Sequence, residues 1–126
     1  AEEVGPFRIL VVDDNREAAD TFAALLKHSG HEVYMAHDGA AAVKLAESVL
    51  PDVVFMDLGM PKLNGYEAAE QIRRAPWGEK IVLAALTGWG QEEDRRRTST
   101  AGFDFHLTKP AEPSAVLRIL QAVSKL

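Results

Sequence analysis

The 126-residue sequence predicts a single α/β domain, a doubly wound, five-stranded parallel sheet with helices on both faces. Three observations carry that reading. Short apolar runs of strand length alternate five times with stretches whose apolar residues recur at helical spacing, the pattern of successive β-α units. The first, third and fourth runs are apolar throughout, as strands covered on both faces must be. All five units fit within about 120 residues, which leaves no length for a second domain.

Ala1 to Phe7 is acidic, contains Gly5-Pro6, and reads as a linker or tail (residues 1–7) ahead of one domain over residues 8–126. Arg8-Ile9-Leu10-Val11-Val12 is the first strand, stopped by Asp13-Asp14-Asn15. Ala18, Phe22, Leu25 and Leu26 then mark a helix that Gly30 ends. Glu32 to Ala36 is the second strand. Asp38-Gly39 opens a helix through Ala42, Val43, Leu45, Ala46 and Val49, and Pro51 stops it. Asp52 to Met56 is the third strand, ending at Asp57. A loop with Met60-Pro61 and Asn64-Gly65 leads to a helix through Ala68, Ala69 and Ile72 that closes around Pro76. Lys80 to Leu86 is the fourth strand, followed by Thr87-Gly88-Trp89-Gly90 and a polar helix from Gln91 to Ala101. Phe103 to Thr108 is the fifth strand, and Ala111 to Leu126 the last helix. Right-handed crossovers leave few topologies for this count, with strand order 2-1-3-4-5 foremost.

Composition excludes several functions. Fourteen basic against 19 acidic residues give a net charge of −5, which argues against nucleic acid as a direct partner. No apolar run approaches the ~20 residues of a membrane span and no signal peptide stands out, so the cytoplasm is the expected compartment, without membrane contact. The chain has no cysteine, which removes disulfides, thiolate metal sites and a thiol nucleophile and fits a reducing compartment. It begins with Ala rather than Met, as expected of a processed chain or one cut from something longer.

In doubly wound sheets the functional crevice lies outside the carboxyl ends of the strands, at the switch point between strands 1 and 3. Strand 1 ends in Asp13-Asp14, strand 3 in Asp57, strand 4 in Thr87 and strand 5 in Lys109. Singly, each has an ordinary role. Asp14 or Asn15 can cap the next helix, Asp57 and Thr87 can be turn residues, and Lys109 can be a solvated charge. Together they point elsewhere. Three clustered carboxylates repel, and one must hold a raised pKa unless a cation sits among them. A hard divalent ion resolves this, and Mg2+ takes one or two carboxylates, waters and a phosphoryl oxygen. Asp57 then becomes a nucleophile for phosphoryl transfer, with Thr87 and Lys109 placed to contact the transferred oxygens.

Val11-Val12-Asp13-Asp14, Asp57-Leu58-Gly59-Met60-Pro61 followed by Gly65, Leu86-Thr87-Gly88 and Lys109-Pro110 resemble the signature of a response-regulator receiver domain, in order, from Arg8 to about Leu120. Ala85 to Arg97 further resembles receivers attached to hybrid sensor histidine kinases. The family is flavodoxin-like and shares the 2-1-3-4-5 order, so that order rests partly on the resemblance. It implies that Asp57 is the phosphoacceptor, loaded from a phosphohistidine on a histidine kinase or phosphotransfer domain. It also implies that Asp14 binds Mg2+ directly, Asp13 through water, and Gly59 through its backbone carbonyl. Thr87 would shift toward the phosphoryl group, Lys109 would pair with it, and the Lys109–Pro110 bond would be cis. Output would pass through protein contacts or an attached domain.

One position departs from the family. A Tyr or Phe usually stands three residues before the lysine as a rotating switch, and here that residue is His106. Alternation of Phe103, Phe105 and Leu107 against Asp104, His106 and Thr108 puts His106 on the latter face, near the last two helices. Trp89 is expected at the crevice rim. The four histidines show no ligand spacing, and Arg73-Arg74 and Arg95-Arg96-Arg97 read as solvated helix faces. Competing functions fit the residues less well. An aspartyl-nucleophile phosphohydrolase typically carries Asp-x-Asp after strand 1, a spacing that Asp13-Asp14-Asn15 lacks. An interaction module without phosphorylation would not need the complete acceptor set, and a flavin binder of similar architecture would be coloured when purified.

Overall fold

The computed structural model describes residues 6–58, 65–87, 100–109 and 112–124. Five strands alternate with helices: β1 (Arg8–Val12), α1 (Arg16–His28), β2 (Glu32–Ala36), α2 (Gly39–Val49), β3 (Val53–Asp57), α3 (Gly65–Arg74), β4 (Val82–Thr87), β5 (Phe105–Thr108) and α4 (Pro113–Val123). The sheet is parallel with order β2-β1-β3-β4-β5, as expected. The polar helix expected over residues 91–101 lies outside the described residues except for its end. Thr100 and Ala101 are helical there, and Gly102 follows in a left-handed conformation (φ 103°) that a side chain would resist.

The strand period of two sorts the core into two layers. Leu10, Val12, Val54, Met56, Leu83 and Ala85 pack with Ala42, Ala46, Ala69 and Ile72 of α2 and α3. Ile9, Val11, Phe55, Ala84 and Leu86 pack on the opposite face with Ala19 and Leu26 of α1 and Val116, Ile119 and Leu120 of α4. Each fully buried aliphatic or aromatic side chain contributes about 1.5–3 kcal/mol, so both layers are needed to hold the strand ends in register.

Several boundaries differ from expectation, each for a local reason. Phe7, expected in the linker, is tied in. Its N–H donates to His31 Nδ1 (3.0 Å), its carbonyl accepts from Glu32 N (3.0 Å), and its ring stacks on the His31 imidazole. A 3₁₀ turn at Pro76–Gly78 follows α3 and delays β4 to Val82. Before β5, the Asp104 carboxylate accepts the Leu83 N–H (3.0 Å), replacing a backbone carbonyl, so the strand begins only at Phe105. Phe103 therefore escapes the alternation and packs in the α2/α3 layer, while Leu107 and Phe105 face the α1/α4 layer. His106 pairs with Ala85 and takes the α2/α3 face, not a place beside the last helix. The last helix opens with Pro113 at its first turn, where no N–H is needed.

Arg73 also corrects a solvated reading. Its guanidinium donates to the carbonyls of Gly78, Glu79, Ile81 and Gly102 and to the Asp104 carboxylate (2.8 Å). It thereby joins the end of α3 to the approaches of β4 and β5. Arg74 is the exposed partner expected, 3.7 Å from Glu70.

Candidate functional site

The two layers hold the carboxyl ends of β1, β3, β4 and β5 together, and with them Asp13, Asp57, Thr87 and Lys109. One carboxylate oxygen each from Asp13, Asp14 and Asp57 lies within 4.8 Å of the others. Lys109 Nζ sits 3.0 Å from Asp13 Oδ2 and 3.3 Å from Asp57 Oδ1. Burial works against the Lys109 ammonium, but the Asp13 hydrogen bond and the charges of Asp57 and Asp13 outweigh it, so its pKa is raised and it stays cationic at neutral pH.

Asp13 is buried and satisfied on every polar group. Its Oδ1 accepts from Asn15 N (2.9 Å), its Oδ2 from Lys109, its N–H donates to Ala36 O (3.1 Å), and its carbonyl meets His37 Nδ1 at 3.1 Å. Asn15, not Asp14, caps α1, its Oδ1 accepting from Ala18 N at 3.0 Å. That leaves Asp14 exposed at the mouth of the cluster. Thr87 is 1% exposed, and its hydroxyl donates to Leu107 O at 3.4 Å, near the limit of a hydrogen bond. The Thr87 carbonyl accepts from Lys109 N (2.7 Å), which couples the β4 and β5 ends.

Two supports were missed at the sequence level. In the sequence Gly65 stands out only as part of the signature. A Cβ there would lie 2.6 Å from the Asp57 carbonyl oxygen, so the start of α3 can press on the end of β3 only without a side chain. His37 lacks metal-ligand spacing to the other histidines, and its actual partner is a backbone carbonyl that no spacing rule reveals. Gly59, Trp89 and Pro110 lie outside the described residues.

The donor set suits a hard dication. Three carboxylates against one ammonium leave a formal charge of −2, and every ligand atom is oxygen. The three oxygens lie within 4.8 Å of one another, close enough to serve one such ion directly or through water.

Residues 9–121 match the family model for the response regulator receiver domain. Protein PilH of Pseudomonas aeruginosa is 36% identical over 92% of this chain and 96% of its own. Other relatives, the regulators RpaA and MprA, are about twice as long, and the chain spans about half of each. The receiver domain of sensor histidine kinase PA1611 from Pseudomonas aeruginosa PAO1, solved with magnesium in its active-site cleft, is 33% identical, covers 97% of this chain and 100% of that one, and superposes with a TM-score of 0.87. The receiver domain of Saccharomyces cerevisiae Ssk1, solved with the histidine phosphotransfer protein Ypd1, is 25% identical with a TM-score of 0.85, covering 95% of this chain and 90% of that one. Among the described residues no helix is long and apolar enough to cross a membrane. With this fold, this strand order and a match over nearly its whole length, the chain belongs to the response regulator receiver domain family, the phosphoacceptor signalling modules of two-component systems.

Proposed function

We propose that Asp57 is the phosphoacceptor and that Asp13, Asp14 and Asp57 hold Mg2+ for the transfer. The observation that carries this reading is the place of Asp57. It ends the central strand β3, shares an oxygen cluster with Asp13 and Asp14, and lies 3.3 Å from the Lys109 ammonium. In the transfer a carboxylate oxygen of Asp57 attacks phosphorus, the P–N bond of a donor phosphohistidine breaks, and the imidazole leaves with its electron pair and takes up a proton. Mg2+ when bound, with Gly59 completing its protein ligands, supplies neutralisation of the phosphoryl oxygens. Lys109 supplies the second positive charge, already oriented toward Asp57. The Thr87 hydroxyl, held by a long bond to Leu107 O, can exchange that acceptor for a phosphoryl oxygen at little cost. Its departure frees a carbonyl in β5 next to His106, the switch candidate at the position where the family has an aromatic ring.

The donor is a histidine kinase or a phosphotransfer domain, which the Ssk1 neighbour in complex with Ypd1 supports as a class. Incubation with Mg2+ and a small acyl-phosphate donor adds one base-labile phosphate to the protein and none to Asp57→Asn. Equal, Mg2+-dependent incorporation by Asp57→Asn refutes the assignment.

A further inference from the structure

His37 stands between Ala36, the last residue of β2, and Asp38, whose carboxylate caps α2 by accepting from Ala41 N (2.7 Å). Its backbone is thus fixed on both sides. The β1–β2 pairing extends to the bond from Asp13 N to Ala36 O. Beyond it β2 turns into α2, and the His37 ring meets the Asp13 carbonyl (3.1 Å). A carbonyl only accepts, so Nδ1 carries the proton in either charge state of the ring.

We propose that His37 is a positioning residue for the cation site. By gripping the Asp13 carbonyl it fixes the plane of the Asp13–Asp14 peptide, and with it the direction from which Asp14 enters the oxygen cluster. Asp13 has other anchors, its carboxylate being held by Asn15 N and Lys109. Asp14 does not share them, because it is exposed and leaves the helix cap to Asn15. The peptide orientation is what sets Asp14, and His37 sets the peptide. This inference rests on the cation reading above.

The test compares parent, His37→Ala and His37→Asn, whose amide N–H can occupy the place of Nδ1–H. Calorimetric titration with Mg2+ at fixed ionic strength is expected to show binding about three- to tenfold weaker in His37→Ala, the worth of one hydrogen bond. His37→Asn is expected within about twofold of the parent, while urea unfolding without Mg2+ separates loss of fold from loss of affinity. Nitrogen-15 spectra of the parent ring are expected to place the proton of the neutral form on Nδ1. Parental Mg2+ affinity in His37→Ala overturns the inference alone, as does a neutral ring protonated on Nε2 only, a result that needs no variant to fold. Failure of the parent to bind Mg2+ overturns the cation reading and this inference with it.

Discussion

Replacing Lys109 by Ala separates the two roles its ammonium has in the cluster. Among the described residues the parent site carries three carboxylates and one cation, and the variant keeps only the carboxylates. Without Mg2+ the change destabilises the fold. Breaking a fully buried ion pair costs about 3–5 kcal/mol, but the Lys109 side chain is 34% exposed, so water reaches the remaining charges and about 1–2 kcal/mol is expected. With Mg2+ most of that loss is recovered. A unit and a double charge about 5 Å apart in a medium as polar as water repel by about 1.5 kcal/mol, so losing the ammonium tightens the ion about tenfold. At saturating Mg2+ the variant therefore gains about 1.4 kcal/mol more stability from the ion than the parent does. Urea unfolding at low ionic strength, with and without Mg2+, reads both effects, and added salt shrinks the difference. A variant that binds Mg2+ more weakly than the parent refutes the placement of Lys109 as a competitor for the same oxygens.

Arg73→Ala removes donors from the carbonyls of Gly78, Ile81 and Gly102, and a loss of about 3 kcal/mol in urea unfolding is expected. Arg73→Lys should recover little, since one ammonium cannot serve a planar fork, and a loss below about 1 kcal/mol in either variant refutes the clamp. Burial lowers the His31 pKa from its ordinary 6.5, and Nδ1 must stay bare to accept from Phe7 N. The unfolded chain therefore binds the extra proton first, so stability from this residue is complete above about pH 6.5 and is lost as pH falls through the lowered folded value. Unfolding at pH 7.5 and 5.5 should show a smaller acid loss in His31→Asn, and equal losses remove His31 from the pH dependence. Thr87→Ala should still accept phosphate, yet lose the phosphorylation-dependent NMR shifts of Leu107 and of the His106 ring. Ring signals of His106 that are identical with and without phosphate in the parent make it a bystander.

The fold could be read from the sequence because its signal is periodic. Continuous apolar runs such as Val53 to Met56 are what strands covered on both faces require, and three of them among five strand-length runs with helical intervals nearly determine the sheet. The acceptor cluster could be read because the rule for strand carboxyl ends converts sequence position into spatial position. What escaped has no periodic signal. Asp104 shortens β5 with a side-chain bond to a strand N–H, which moves Phe103 to the other layer, while His106 keeps the face opposite Leu107 that alternation gives it, and that face meets the α2/α3 layer rather than α4. Arg73 and His37 likewise act on backbone carbonyls, Arg73 on that of Gly102, 29 positions away, and His37 on that of Asp13, 24 positions away. Such pairings are set by the packed layers and by no local spacing.

The most direct test of the central assignment is chemical. The protein is phosphorylated with a small acyl-phosphate donor and Mg2+, then reduced with borohydride, which converts an aspartyl phosphate to homoserine. Peptide mass mapping follows. The reduced residue is expected at position 57, in the peptide that contains Met56 and Leu58, and only when Mg2+ was present. Homoserine at position 13 or 14, or at position 57 in equal yield without Mg2+, contradicts the account.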